Sequence, residues 1–150
     1  MTVLDTSIAS SFLHPQAALR FPKLVAFVNE TVRASGLFIS VVTQYELRRG
    51  VEALVLKGQG RRMSVAVERF LDAAYVLGLD DRAGEGWNVA ASLWAQAHIL
   101  KPSLVLGEAD LLIAATAAVH GRPLATTDGK LGEALAKIAF PVPVQLVPLA

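Results

Sequence analysis

The chain contains no cysteine among its 150 residues. Disulfides, thiol nucleophiles and thiolate metal sites are thereby excluded. The N-terminus lacks a basic n-region followed by an apolar h-region, so no secretory signal is expected. No run of residues is long and apolar enough to span a bilayer. The longest near-apolar stretch, Leu111–Val119, is interrupted by Thr116, whereas a span needs about 20 residues. The cytoplasm is the expected location. Charge is also scarce: charged residues make up 18% of the chain, and 14 Lys+Arg stand against 13 Asp+Glu for a net +1. That balance neither predicts nor excludes a nucleic-acid partner, because distribution matters more than the sum. There is no repeat, no low-complexity tract and no evident linker.

What is abundant is apolar surface. Hydrophobic residues reach 53% and mean hydropathy is +0.47, high for a soluble domain. Global disorder is excluded. At this length one domain covering residues 1–150 is expected. The surplus implies either an unusually complete core or a surface meant to be covered.

Five short apolar runs read as strands: Thr2–Leu4, Leu37–Val42, Tyr75–Leu79, Leu124–Thr127 and Val144–Val147. They show little alternation, as expected of strands buried on both faces of a parallel sheet. Helical spacing predicts helices over Ala17–Ser35, Thr43–Arg49 (stopping at Gly50, with residues 51–57 open to helical extension before Gly58-Gln59-Gly60), Met63–Ala74, Val89–Leu100 and Glu108–His120. Strands alternating with helices imply right-handed βαβ units. The expected fold is a three-layer α/β/α domain around a mostly parallel sheet, with functional residues at the carboxyl ends of the strands.

Four acids occupy such positions. Asp5 follows the first strand and Asp128 the fourth, Glu46 lies just beyond the second, and Asp110 opens the apolar helix. Gathered together, they would repel one another and favour protonation. A hard divalent cation relieves that repulsion, since Mg²⁺ takes carboxylate and water oxygens. Such a centre suits phosphodiester hydrolysis. Each acid alone has a simpler reading. Asp5 and Asp110 suit helix caps, Glu46 a solvated helix position paired with Arg49, and Asp128 before Gly129 an ordinary turn. Glu108 reads as a solvated loop acid or an extra ligand.

The motifs carrying these acids resemble a known family. Val3-Leu4-Asp5-Thr6-Ser7 looks like the opening of PIN-domain proteins, and Ser40–Gly50 with Glu46 like their second motif. Ala109–Ala117 followed by His120-Gly121 is similar to the third, and Leu124–Asp128 to the fourth. The order and spacing resemble VapC-type toxins of type II toxin–antitoxin systems, including the FitB-like branch. The resemblance implies a Mg²⁺- or Mn²⁺-dependent endoribonuclease. It assigns Asp5, Glu46, Asp110 and Asp128 to the metal centre, with Thr6 and Thr126 supporting them through hydrogen bonds. It further implies a VapB-type antitoxin, through it operator DNA, and a homodimer, whose interfaces would cover the surplus apolar surface. The stretch Ser103–Glu108 departs from the family's usual approach to the third acid.

Arg48, Arg49, Lys57, Arg61, Arg62 and Arg69 place six of the 14 bases within 22 residues. They read as an RNA- or partner-binding patch flanking the metal site, or as a solvated helix face. His14, His98 and His120 show no paired metal-ligand spacing, and His120 suits a helix C-terminus. Two further readings are a regulatory subunit of a DNA-binding repressor complex with little catalysis, and a housekeeping RNA-processing PIN nuclease. A phosphoacceptor receiver domain is excluded by Asp5 having no adjacent acid and by Thr126-Thr127-Asp128 lacking a lysine.

Overall fold

The computed structural model describes residues 1–150. The five expected strands form one sheet, four of them slightly shorter than the apolar run that carries them and the third shifted one residue earlier, to begin at Ala74. They are β1 (Val3–Leu4), β2 (Leu37–Ser40), β3 (Ala74–Leu77), β4 (Leu124–Thr126) and β5 (Val144–Leu146). Their order is β3-β2-β1-β4-β5 and every pairing is parallel, so the sheet is wholly and not just mostly parallel. The register sets Val3 beside Phe38 on one side and Leu124 on the other. From β1 the chain adds β2 and β3 in one direction, then returns to add β4 and β5 in the other. Strand order therefore reverses beside β1, where ligands of open α/β sheets bind.

Eight helices connect the strands: α1 (Thr6–Phe12), α2 (Ala17–Arg20), α3 (Pro22–Ser35), α4 (Val41–Leu56), α5 (Arg61–Ala73), α6 (Glu85–His98), α7 (Glu108–Val119) and α8 (Gly129–Ala136). Strand side chains alternate between two cores. Leu4, Ile39 and Ala125 face one core with Ile8, Leu24, Leu47 and Phe70, from α1, α3, α4 and α5. Val3, Phe38 and Leu124 face the other with Ile113, Ala114 and Leu135, from α7 and α8. Outside α7 lies α6, packing Ala90 and Leu93 against Leu111 and Ala115. This is the expected three-layer arrangement. No helix is long and apolar enough to cross a membrane.

Several boundaries differ from the sequence reading, for local reasons. Val41 and Val42 open α4 and do not extend β2, because the Ser40 hydroxyl caps the helix by accepting from Val42 N at 3.1 Å. That helix runs through Gly50 to Leu56, since Leu47 and Val51 are both buried in the core. Their packing outweighs the roughly 1 kcal/mol that a mid-helix glycine costs. The stretch Ala17–Ser35 is split at Phe21, with Pro22 opening α3 where its missing N–H is harmless. Helices α1 and α8 are too short to show a period. His120 does end α7, and its Nε2–H donates to Gly78 O at 2.9 Å.

Two glycines test the packing. A Cβ on Gly86 would sit 2.6 Å from the Leu79 carbonyl oxygen and 2.7 Å from Leu79 Cα, whereas one on Gly132 in α8 meets nothing within 4 Å. Gly86→Ala is expected to destabilise by about 1–3 kcal/mol. Gly132→Ala is expected to stabilise by up to about 1 kcal/mol. Urea denaturation of both variants checks the contrast, and equal effects would contradict this account of the α6 contact.

Candidate active site

The carboxyl end of β1 delivers Asp5 as the N-cap of α1. Its Oδ1 accepts from Ile8 N at 3.0 Å and from the Ser7 hydroxyl at 2.6 Å. Both readings of Asp5 meet here, for a cap uses one carboxylate edge and need not use the other. The residue is 2% exposed. Ser7 also accepts from Thr127 N at 3.1 Å, tying the β1 exit to the β4 exit.

Asp128 stands at that β4 exit as the N-cap of α8, accepting from Lys130 N and Leu131 N at 2.9 and 3.3 Å. It is a helix cap, not the isolated turn residue of the simpler reading. Between the two aspartates lies the buried Thr126. Its Oγ1 accepts from Asp128 N at 3.0 Å, and its hydroxyl favours the charged form of Asp5.

Glu46 lies in the second turn of α4 and is partly buried. Thr6 donates to Glu46 Oε1 at 2.6 Å, and Thr43 Oγ1 lies 3.1 Å from Thr6 Oγ1. A hydroxyl has one proton. Spent on Glu46, it leaves Thr6 to accept from the buried Thr43. Arg49 Nη2 approaches Glu46 Oε2 at 3.2 Å, which is the pairing read from the sequence.

Asp110 sits in the first turn of α7, half-buried, where the helix dipole favours an anion. Its carboxyl is nevertheless pushed above the ordinary range, first by burial and then by the charges of Asp5, Asp128 and Glu46. Asp5 is raised as well, chiefly by burial and further by Asp128, against hydrogen bonds that oppose the shift. The fold thus brings all four carboxylates into one electrostatic neighbourhood. Glu108 is exposed and contributes to neither shift.

Four supporting hydroxyls escaped the sequence reading: Ser7, Ser40, Thr43 and Thr116. The signal for Ser40 was present, as a serine ending an apolar run just before a helical one. Nothing in the sequence marked Thr116, a single hydroxyl in an apolar helix. The basic patch divides. Arg48 bridges α4 to α5 by pairing with Glu68 at 2.6 Å, and Arg49 is held at Glu46. Lys57, Arg61 and Arg62 are exposed at the α4–α5 turn. Because α4 runs on to Leu56, that turn lies about 16 Å along the helix from Glu46, at 1.5 Å per residue. The three bases thus stand about three helical turns from Glu46 and do not directly flank it.

The PIN-domain family model matches residues 2–138. The chain belongs to the PIN-domain family. A chain of FitAcB from Neisseria gonorrhoeae is 27% identical, with a TM-score of 0.74 over 97% of this PIN domain and 96% of that chain. One of VapBC-5 from Mycobacterium tuberculosis, a member of the VapBC family of toxin–antitoxin systems, is 26% identical, with a TM-score of 0.58 over 98% and 97%. One of VapBC2 from Rickettsia felis, solved bound to a DNA fragment from its promoter, is 16% identical with a TM-score of 0.77 over 98% and 99%. At that identity the likeness is one of fold. No curated protein matches the chain.

PIN domains generally use divalent metals. As the side chains stand, no three acidic or histidine groups form a ready ligand set. Several carboxylate oxygens are turned toward protein donors instead: Asp5 Oδ1 to Ser7 and Ile8, both Glu46 oxygens to Thr6 and Arg49, and Asp128 Oδ1 to α8. The donor chemistry still fits. All four groups offer hard oxygens, and the mutual repulsion that raises Asp110 is what a divalent cation relieves.

The shift has a signed consequence for the metal-free protein. Raised in the folded state, the Asp110 carboxyl stabilises the fold below its unfolded value and loses that contribution as pH climbs through the folded value. At neutral pH the charged side chain is a liability. Asp110→Asn is expected to melt higher than the parent at pH 7 in a chelator, with the gap closing on acidification. A variant that melts lower at pH 7 would contradict the repulsion.

Proposed function

We propose that this PIN domain is a metal-dependent endoribonuclease, the toxin of a type II toxin–antitoxin pair, neutralised by a VapB-type antitoxin. The observation that carries the reading is the convergence of three carboxylates on a fourth, Asp110, at the reversal of strand order. Residues 1–150 act as one domain: β5 lies beyond the family match yet completes the sheet beside β4.

Asp5, Glu46, Asp110 and Asp128 hold Mg²⁺, or Mn²⁺ in its place. When bound, the ion supplies neutralisation of phosphate charge and activation of a water for attack on the RNA phosphodiester. The chain's own contribution is placement. Asp5 is fixed by the Ser7 hydroxyl and the α1 backbone. Thr6 turns Glu46 through a 2.6 Å bond, and Thr126 stands between Asp5 and Asp128. Burial of Asp5 strengthens every electrostatic contact it makes. Lys57, Arg61 and Arg62 take RNA phosphates beyond the cleaved bond.

Support for the partner comes from the neighbours. A FitAB complex and VapBC from Salmonella typhimurium were likewise solved on DNA. An antitoxin and a second copy of the chain would cover the exposed apolar side chains of α4 and α6, among them Tyr45, Leu56, Trp87 and Trp94. Bound through the antitoxin, the chain would then sit on its own operator.

Two measurements test the activity and the patch. Purified protein is expected to cleave RNA with Mg²⁺ or Mn²⁺ and to stop in a chelator. Asp5→Asn is expected to lose about a hundredfold or more, some 2.7 kcal/mol of transition-state stabilisation. Cleavage retained in that variant would assign the activity to a contaminant. For the patch, Arg61→Gln with Arg62→Gln is expected to weaken RNA binding. It should also flatten the slope of log K against log salt by about 1.4, near 0.7 for each phosphate no longer neutralised. An unchanged slope would remove these bases from the RNA path.

A further inference from the structure

α7 is the driest helix of the protein. Leu111, Ile113, Ala114, Ala115 and Ala117 are all buried, and Thr116 in their midst is fully buried too. Its hydroxyl proton goes to Leu112 O at 2.8 Å. The oxygen is therefore left as an acceptor, and the Ser40 hydroxyl lies 2.9 Å from it. Ser40 is likewise fully buried and already accepts from Val42 N at the start of α4. One directed chain results: Val42 N–H to Ser40, Ser40 O–H to Thr116, Thr116 O–H to Leu112 O. Every proton in it is committed, and each hydroxyl oxygen accepts one bond.

The position of this chain matters more than its strength. Ser40 stands six residues before Glu46, and Thr116 six residues after Asp110. Theirs is the only side-chain hydrogen bond joining α4 to α7. On its other side, α4 is fastened through Thr43 and Thr6 to the helix that Asp5 caps. Apolar packing alone is non-directional and lets helices slide by fractions of an ångström. A buried hydroxyl pair does not, because any slip leaves polar groups unpaired at a cost of about 1–3 kcal/mol.

We propose that the Ser40–Thr116 pair is a positioning device that sets the separation of Glu46 from Asp110, and with it the affinity of the site for a divalent cation. This rests on the metal-site reading above, and neither residue touches metal or RNA. Val is close to Thr in shape and lacks the hydroxyl, so Thr116→Val keeps the packing and removes the link. Thr116→Ser removes the methyl and keeps the link.

The test uses Mn²⁺ alone as probe, its binding followed by electron paramagnetic resonance of the free ion, beside the melting temperature of the metal-free protein and RNA cleavage. Thr116→Val is expected to raise the Mn²⁺ Kd about tenfold, the low end for removing a group that orients a metal ligand. Thr116→Ser is expected to stay within about twofold of the parent by the same measure. A purely structural role would lower the melting temperature and leave the Kd alone, which overturns the proposal. Equal losses in the Val and Ser variants would also overturn it, by assigning the effect to the methyl. Should Thr116→Val not fold, Ser40→Ala removes the donor from the other end and is expected to weaken Mn²⁺ binding equally. A parent that binds Mn²⁺ but cleaves no RNA sinks the nuclease reading and leaves the positioning role standing. A parent that binds no Mn²⁺ overturns both.

Discussion

Like charges confined at one end of a parallel sheet are the constraint on which the rest of this structure depends. Asp110 feels it most, since burial and three neighbouring carboxylates all act against its charge. A fold selected for stability alone would separate those groups or replace one with an amide. This one instead gathers them where strand order reverses, the one edge of an open α/β sheet that no crossover helix covers. The caps make that arrangement tolerable. Asp5 and Asp128 each begin a helix, so amide N–H groups and the positive end of a helix dipole offset part of the repulsion.

The polar content of the interior is organised around the same point. Five polar or charged residues are buried: Asp5, Ser40, Thr43, Thr116 and Thr126. All five either belong to the acid cluster or connect the helices that carry it. The other fully buried residues are apolar, and the main polar intrusion elsewhere is Arg122, whose Nε and Nη1 are buried over the Phe38 ring. Hydroxyls suit the task better than amides or bases. They add no charge to a crowded site, and each is at once donor and acceptor. Chains such as Thr43–Thr6–Glu46 therefore run without a loose end.

Much of this was legible in the sequence. The apolar runs found all five strands, and their lack of alternation pointed to the parallel sheet, because burial on both faces removes any reason to alternate. Asp5 and Asp128 stood out by directly ending two of those runs, Glu46 by following a third at the start of a helix, and Asp110 by opening the apolar helix. What stayed hidden was set by contacts distant in sequence. Gly50 read as a break between two helical stretches because its neighbours' packing onto α1 and α5, which carries one helix through it, was invisible. Asp128 read as a turn because α8 is too short for a period to emerge. Thr116 carried no signal at all, since a threonine in an apolar helix acquires meaning only from the serine 76 residues away that it meets.

The pairing of Glu46 with Arg49 bears on how a site can be both crowded with anions and stable without a cation. Arg49 reaches Glu46 from one turn away, stacks on the exposed Tyr45 ring at 5.2 Å, and is itself more than half exposed. With Arg49 exposed and Glu46 partly buried, the pair contributes on the order of 1 kcal/mol or less. It is strong enough to keep one carboxylate partly neutralised in the empty protein, and weak enough to yield. Under the proposed function, a divalent cation held by Glu46 would compete with Arg49 for the same carboxylate. The near-zero net charge of the chain therefore hides a local imbalance: of the four acids only Glu46 has a cationic partner, and Asp5, Asp110 and Asp128 stand without one.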